Sequence, residues 1–148
     1  MQGLTQKVVS RTAATMLAAL ALPVAVAAAA KPPADRPVMV GGQQDIDACP
    51  SVAVIVPLRE GGDGFVAVRA APSLKARRLY KLLPGQDVLL CAASADGQWV
   101  GIIYPEPLGG PDVSECRVSI PIAGEAHAYD GPCRSGWVAR RLLTVVAG

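Results

Sequence analysis

The fold class follows from the run Gly64–Ser73, which reads GFVAVRAAPS. Apolar residues alternate along it so that Val66 and Val68 share one face, as they would in a half-buried β-strand. The β-branched side chains favour the same extended backbone. Pro72 cannot donate to a sheet ladder, so it ends the strand and opens a loop that runs to Arg78. This run therefore predicts a strand followed by a loop.

Further strands are predicted on both sides of this run, and Pro and Gly punctuate them. A turn at Ala95–Gly97 joins two of them in a hairpin, and one tight helical turn is predicted at Ala139–Leu142. The predicted strands are Ser51–Val56, Leu79–Leu83, Val88–Ala92, Trp99–Tyr104, a strand beginning at Trp137, and Leu143–Val146. Long helical periodicity is not found outside the first thirty residues. The sequence therefore predicts an all-β chain.

Four runs, in this order, resemble those of the bacterial Src-homology-3-like (SH3-like) domain. They are GFVAVRAAPS, LPGQDVLL at Leu83–Leu90, DGQWV at Asp96–Val100 and SGWV at Ser135–Val138. The resemblance spans roughly residues 64–146 and implies a small, partly open barrel in a single copy. The domain is expected at residues 48–148, and residues 105–134 are an insertion relative to the pattern. The first loop departs from it at Ala71, where the family often has glycine.

Two segments lie outside the resembling strands. Residues 31–47 contain Pro, Gly and Gln without periodic hydrophobicity, so they are predicted to form a flexible leader. Within that leader, Val38–Val40 is the stretch that could add a short edge strand. In the insertion, Arg117–Ile122 and His127–Tyr129 are predicted to pair as a disulfide-closed hairpin with Gly124 near its tip.

Residues 1–30 are predicted to be a secretory signal peptide. Lys7 and Arg11 provide its basic end, Met16–Val26 its apolar run, and Ala27–Ala30 a small-residue cleavage site. A transmembrane anchor is the rival interpretation, but a span usually needs about 18 or more apolar residues. The apolar run is shorter and contains a proline. The sequence thus predicts export to the periplasm or the extracellular space, with no membrane span after cleavage.

The charge balance changes once that segment is removed. The full chain has 14 basic and 12 acidic residues. Lys7 and Arg11 are the only charged residues of the first thirty, so residues 31–148 carry 12 of each sign. A near-neutral surface does not attract nucleic acid or anionic membrane over a long range. Nucleic-acid binding is therefore not expected.

All four cysteines follow the predicted cleavage site. An even number in a small exported chain favours disulfides, and four cysteines allow three pairings. Cys116 and Cys133 lie in the same inserted segment, which favours a local bridge and leaves Cys49 to pair with Cys91. The close Cys-x-x-Cys spacing of a metal site does not occur. No metal and no cofactor is predicted, and the sequence alone leaves the connectivity open.

The resemblance implies binding rather than catalysis. Bacterial SH3-like domains often accompany cell-wall hydrolases and bind peptide stems or cross-bridges of peptidoglycan. A peptide site needs exposed aromatic faces in a groove. The candidate groove residues are Tyr80, Trp99, Tyr104 and Trp137. Both tryptophans also suit core packing, whereas the two tyrosines and Tyr129 are predicted at a wetter surface.

A second candidate site is a cluster of positive charge on the predicted loop. Five basic residues and no acid occur from residue 69 to residue 81. They are Arg69, Lys75, Arg77, Arg78 and Lys81. Together they would meet phosphate or carboxylate groups of wall polymers or lipid headgroups. The simpler interpretation is a solvated loop.

Two alternatives to a wall-binding module stay open. One is a structural or interaction subunit of an envelope complex, with the inserted hairpin as its contact or as the interface of an isologous dimer. The other is a papain-like wall hydrolase, because His127 lies between Cys116 and Cys133 in the sequence and a catalytic thiolate needs a histidine within reach. Disulfide bonding would remove that thiolate, so catalysis is the weaker alternative. Ligand and oligomeric state are left open.

Overall fold

The computed structural model describes Gly3, residues 31–106 and residues 109–148. Apart from Gly3, the predicted secretory signal lies outside these residues and stays a prediction. Residues Lys31–Gly148 form one structural unit. In the described part of the chain, none of the helices has the length and apolar character that spanning a bilayer requires.

The described residues contain nine strands and two short 3-10 helices, at Val113–Cys116 and Arg140–Leu142. The strands are β1 (Met39–Val40), β2 (Ser51–Ile55), β3 (Val66–Arg69), β4 (Arg78–Leu82), β5 (Asp87–Ala93), β6 (Trp99–Tyr104), β7 (His127–Ala128), β8 (Arg134–Ala139) and β9 (Leu143–Ala147). Most of them are rich in the β-branched and aromatic residues that suit a pleated surface. The all-β prediction is confirmed.

Seven of these strands form one antiparallel sheet in the order β4-β3-β8-β6-β5-β2-β9. The long pairing of β6 with β8 starts at Trp99 opposite Ala139, whereas β3 meets β8 through the single pair Arg69 and Trp137. Among the described strands, β4 and β9 are the sheet edges and do not pair with each other, so the sheet is not a closed barrel. The SH3-like assignment stays a prediction.

The main core lies on the inner face of this sheet. It is built by side chains from six strands, namely Ala53, Ile55, Val66, Val68, Leu82, Val88, Val100, Ile102, Tyr104 and Val138. Strand β6 is buried along its whole length. Successive side chains of a strand point to opposite faces, so Val100, Ile102 and Tyr104 enter this core while Trp99 and Ile103 point to the other side. Both faces of β6 are therefore covered.

The leader and the insertion cover the outer face. Val40 packs in a cluster with Ile103 and Val118, and Val38 packs with the two tryptophans of the chain. Both leader valines are at most 2% exposed. Residues 31–47 are expected to be flexible, yet the structure docks the part around these valines. The physical reason is the apolar burial, which contributes about 1.5 kcal/mol or more for each fully buried valine.

The insertion does not form the predicted hairpin. Strand β7 pairs with β1 of the leader, and Ile122 forms an isolated bridge with Gln43. His127–Tyr129 thus pairs with the leader, whereas Arg117–Ile122 pairs with Gln43 and with Ala48 and Cys49 just after the leader. This arrangement gives several of their backbone groups hydrogen-bond partners and at the same time covers the outer face of the sheet, which a free-standing hairpin would leave open.

Both predicted disulfides, Cys49–Cys91 and Cys116–Cys133, are confirmed. They account for all four cysteines of the chain. Cys49 and Cys116 are buried in the same outer cluster. The first bridge fastens the entry to β2 onto β5, and the second closes the insertion on itself. Disulfides form and persist in oxidising compartments, which indicates an exported environment for this chain.

Candidate binding cleft beside Trp99

A cleft of about 400 Å³ lies where the loop after β3 faces the start of β6 and the end of β8. Its lining combines apolar, amide and cationic side chains. The lining residues are Pro72, Ser73, Leu74, Lys75, Gln98, Trp99, Ala139 and Arg141. A concave surface that joins an apolar wall to a few polar groups is the usual form of a ligand site.

Trp99 is the aromatic residue of this cleft, and its neighbours fix it from two sides. The hydroxyl of Ser94 accepts a hydrogen bond from the Trp99 backbone N–H at 3.0 Å. That hydroxyl donates in turn to Asp96 at 2.5 Å, and Gly97 takes a φ of 68° that glycine adopts without strain. On the outer face the indole packs with Val38 of the leader. The turn and the leader together position the ring.

The same turn lowers the pKa of Asp96. The hydroxyl of Ser94 is the main cause, and the backbone N–H of Gln98, which donates to the carboxylate at 3.0 Å, is the second. Hydrogen bonds to the charged form of a carboxyl group favour that form. Asp96 is therefore a negatively charged anchor of the turn at neutral pH.

The loop Ala70–Arg77 forms the opposite wall of the cleft. Its two end residues are joined by a backbone hydrogen bond of 2.9 Å. The N–H of Ala76 donates to the carbonyl of Ser73 at 3.1 Å, and the guanidinium of Arg69 donates to the carbonyl of Ala76 at 2.8 Å. Leu74 is 69% exposed on this fixed loop. The loop thus presents an apolar side chain without needing a ligand to order it.

Two cations complete the lining, Lys75 from the loop and Arg141 from the 3-10 turn after β8. Both are exposed. Among the eight described residues that line the cleft, none is a carboxylate. The local field therefore favours an anionic group, and charge-assisted hydrogen bonds to a carboxylate are among the stronger polar contacts.

The predicted basic cluster is dispersed by intramolecular contacts. Arg69 donates to the backbone within its own loop. Arg77 forms an ion pair of 2.6 Å with Asp35 of the leader, and both side chains are more than half exposed. These two arginines therefore support the loop and the leader rather than a shared anion site.

The remaining cations of that cluster also separate. Arg78 and Lys81 lie over the ring of Phe65, at 5.4 and 4.3 Å from its centroid. Cations over an aromatic face are held by the ring quadrupole. Lys75 is the member of the cluster that lines the cleft. The structure thus brings one of the five predicted basic residues to the candidate site.

The four aromatic residues of the predicted groove also lie apart from one another in function: two are buried, one is half-buried and one lines the cleft. Tyr104 and Trp137 are 1% and 2% exposed, so neither offers a face for stacking. Tyr104 points into the inner core, where burial raises its pKa, and the leader covers Trp137 through Arg36. Tyr80 is half-buried and lies 5.9 Å from the ring of Tyr104. Trp99 is the one predicted groove residue that lines the cleft, and 8% of its surface is exposed.

Tyr129 was predicted at a wet surface and is instead partly buried beside a disulfide. Its hydroxyl donates to the carbonyl of Cys116 and accepts from the N–H of Cys133, both at 3.0 Å. Burial raises its pKa. Tyr129 therefore ties the two ends of the disulfide-closed insertion together.

The residues of the hydrolase alternative do not assemble a nucleophile. Cys116 and Cys133 are bonded to each other, so neither supplies a thiolate to His127. The imidazole Nδ1 lies 3.3 Å from the carbonyl oxygen of Glu125 on an exposed segment. In residues 31–106 and 109–148, no group of three or more His, Cys, Asp or Glu side chains is placed to hold a metal ion.

Six of the eight lining residues were not predicted as site residues, and three of them, Leu74, Gln98 and Arg141, bring a long side chain to the cleft. Leu74 carried a signal, because an apolar residue between Ser73 and Lys75 in a predicted loop has no core to enter. Arg141 had no such signal in the sequence, since only the pairing of β8 with β3 and β6 brings it to the cleft.

Comparisons of the chain with protein-family models, curated proteins and solved structures found no match.

Proposed function

We propose that this chain is an exported, non-catalytic binding module of the SH3-like type, which recognises a peptide of the cell wall through the Trp99 cleft. One observation carries the proposal: an indole, an exposed leucine and two cations share one cleft whose described lining contains no acid. Peptidoglycan peptides offer what such a cleft accepts, namely short aliphatic side chains and free carboxylates.

Export to the periplasm is part of the proposal. The two disulfides and the apolar first thirty residues support it. An extracellular binding module needs a structure that tolerates an oxidising and variable environment, and the cross-linked outer layer provides one. The resemblance of four sequence runs to bacterial SH3-like domains supports a wall ligand.

The test is co-sedimentation of the purified protein with peptidoglycan. In the double variant Lys75→Glu/Arg141→Glu, repulsion replaces two charge-assisted contacts, so the apparent affinity should fall at least about tenfold. Leu74→Ser should weaken binding by removing apolar contact. Lys31→Glu and Leu83→Ser are the matched controls, because they alter an exposed lysine and a 57% exposed leucine outside the cleft.

The salt dependence gives a second criterion. Raising sodium chloride from about 50 mM to about 500 mM should weaken binding of the native protein, since salt screens exposed charges. Equal sedimentation of the native protein and the charge-reversed variant would end the case for the cleft. A different result would reassign the ligand to a protein partner. In that result neither the native protein nor any variant binds the wall, and an envelope protein is captured by the native protein but not by the cleft variants.

A further inference from the structure

The Trp99 cleft spans the shortest strand pairing of the seven-stranded sheet. Its loop wall, which contains Leu74, follows β3, whereas Trp99 and Ala139 belong to β6 and β8. Strand β3 meets β8 through the single pair Arg69 and Trp137. Each cross-strand pair contributes only a small stabilisation, so the sheet alone holds the two walls of the cleft together weakly.

The leader crosses this short pairing at Arg36. The N–H of Arg36 donates to the carbonyl of Ala70, at the start of the loop wall, at 2.7 Å. The carbonyl of Arg36 accepts a hydrogen bond from the indole N–H of Trp137 on β8, also at 2.7 Å. Next to it, Asp35 forms an ion pair of 2.6 Å with Arg77 at the other end of the loop. The leader therefore joins the base of the loop wall to β8.

Val38 provides the apolar part of this contact, and it supports the other wall of the cleft. It is 1% exposed and packs in a cluster with Trp99 and Trp137. Ala139, which also lines the cleft, packs against the same cluster. The fit is close, because a Cβ at Gly101 would lie 3.1 Å from a methyl group of Val38. Closely packed groups transmit a displacement to their neighbours, so loss of the valine side chain would let the indole of Trp99 move.

We propose that residues 35–38 of the leader are positioning residues of the Trp99 cleft. When this segment is docked, its contacts hold the loop wall and β8 in one arrangement and fix the indole of Trp99 between them. When it is undocked, only the Arg69–Trp137 pair joins β3 to β8, and the cleft binds its ligand more weakly. The inference deepens the proposed function and rests on it, since it concerns how the same cleft binds a wall peptide.

Docking of the segment and binding of the ligand are therefore coupled. The Asp35–Arg77 pair is largely exposed, and exposed ion pairs contribute little to stability. Proteins open locally at a lower cost than they unfold, so the segment can leave while the sheet stays folded. If the docked segment raises the affinity of the cleft, a bound ligand must favour the docked segment by the same factor.

Val38→Ser and Val40→Ser are a matched pair for the first test, co-sedimentation with peptidoglycan. Both valines are at most 2% exposed, but the cluster of Val40 contains none of the described lining residues. Val38→Ser should bind at least about fivefold more weakly than the native protein, the lower end of typical coupling between sites. Val40→Ser should stay within about twofold, as expected for a separate site. Equal weakening by both variants, or undiminished binding of Val38→Ser, would overturn the proposal.

A measurement without ligand separates this inference from the proposed function. The chain has two tryptophans, and both pack with Val38. Acrylamide quenching of their fluorescence should be at least about twofold stronger in Val38→Ser than in the native protein or in Val40→Ser, because local opening exposes the rings. Equal quenching in the three proteins would overturn the proposal. If this difference is found but the native protein does not bind peptidoglycan, the wall ligand is wrong and the positioning role of the leader remains.

Amide hydrogen exchange of the native protein keeps the test independent of any variant that fails to fold. Saturating soluble peptidoglycan fragments should slow the exchange of the Arg36 N–H at least about fivefold, because the coupling is reciprocal. The N–H of Cys49, which donates to the carbonyl of Val118 at 2.9 Å, is the control and should exchange at an unchanged rate. Fragments that bind without slowing Arg36 would show that the leader and the cleft are independent, and the proposal would fail.

Discussion

At the hairpin that precedes Trp99, the carboxylate of Asp96 accepts hydrogen bonds from the Ser94 hydroxyl and from the backbone N–H of Gln98. The same hydroxyl accepts from the N–H of Trp99. A side chain that closes a turn in this way replaces backbone groups that the turn leaves unpaired. The backbone of Trp99 is thus linked, through the hydroxyl of Ser94, to one exposed carboxylate.

This link predicts an acid-labile contribution to stability. The pKa of Asp96 is lowered in the folded protein from its ordinary value of 3.8. A depressed pKa contributes stability that is fully present above that value and is lost as the pH falls through the folded pKa. In Asp96→Asn, urea unfolding between about pH 5 and about pH 2 should show a smaller loss of stability than in the native protein.

The double variant Ser94→Ala/Asp96→Asn controls for the hydroxyl that is the main cause of the shift. Replacing Asp96 should change the acid dependence less when Ser94 is already alanine. Equal loss of stability on acidification in the native protein and in Asp96→Asn would show that the turn carboxylate is not responsible.

At the scale of elements, strand β8 joins two parts of the sheet. It pairs with β6 along its length but meets β3 through one residue pair, so close packing has to support the β3–β8 contact. Gly136 provides it: a Cβ there would clash with a methyl of Val68 and lie 3.1 Å from the carbonyl oxygen of Arg69. Glycine at this position lets the two strands approach.

Gly136→Ala should therefore destabilise the protein by about 1–3 kcal/mol, the usual effect of inserting a methyl group into a packed core. The free energy of unfolding in urea measures this. Gly62→Ala is the control, since Gly62 lies in an exposed turn where the added methyl would meet only the carbonyl of Arg59, at 3.2 Å. Its effect should stay within about 0.5 kcal/mol, and a cost at Gly136 no larger than this would contradict the packing argument.

Local patterns predicted the strands, and non-local pairings escaped prediction. The alternation around Val66 and Val68 and the turn at Ala95–Gly97 are local signals, so β3, β5 and β6 occur where the sequence places them. The pairing of β1 with β7 joins residues about ninety positions apart, and no short window contains that information. The flexible-leader expectation failed around Val38 for the same reason.

Tyr104 is a different case, because the sequence did contain the answer. It has the same parity along β6 as Val100 and Ile102, which both enter the core, and a strand places alternate residues on one face. Tyr104 was expected at the surface because its hydroxyl is polar, although its position in the alternation of β6 indicated burial. For the cleft, Trp99 was predictable as an aromatic residue of a strand, whereas the presence of Arg141 in the same lining depends on the tertiary fold.

For residues 31–148 as a whole, stability comes from a sheet with a cross-linked outer layer. The Cys49–Cys91 and Cys116–Cys133 bridges join residues separated by 42 and 17 positions. Both bridges border the outer cluster that contains Val40 and Val118. Disulfides thus reinforce the apolar packing of this cluster, and dense cross-linking of this kind is common in small exported domains.

Removing either bridge should lower the free energy of unfolding, and the bridge that closes the longer loop should have the larger effect. The chain-entropy model gives about 4 kcal/mol for the longer loop and about 3 kcal/mol for the shorter one. Cys49→Ala/Cys91→Ala should therefore lower the free energy of unfolding more than Cys116→Ala/Cys133→Ala does. Urea unfolding of both variants beside the reduced native protein measures the difference, and the reverse order would contradict the entropic account.

The place of β8 in the strand order also bears on when this chain acquires its structure. Without residues 134–139, the β3–β4 hairpin has no neighbour in the sheet, and the partner of Cys116 is still to come. A ribosome adds about 5–20 residues each second, so a long stretch of polypeptide emerges before its pieces can be united. The seven-stranded sheet therefore cannot be completed until residues 134–139 have been synthesised.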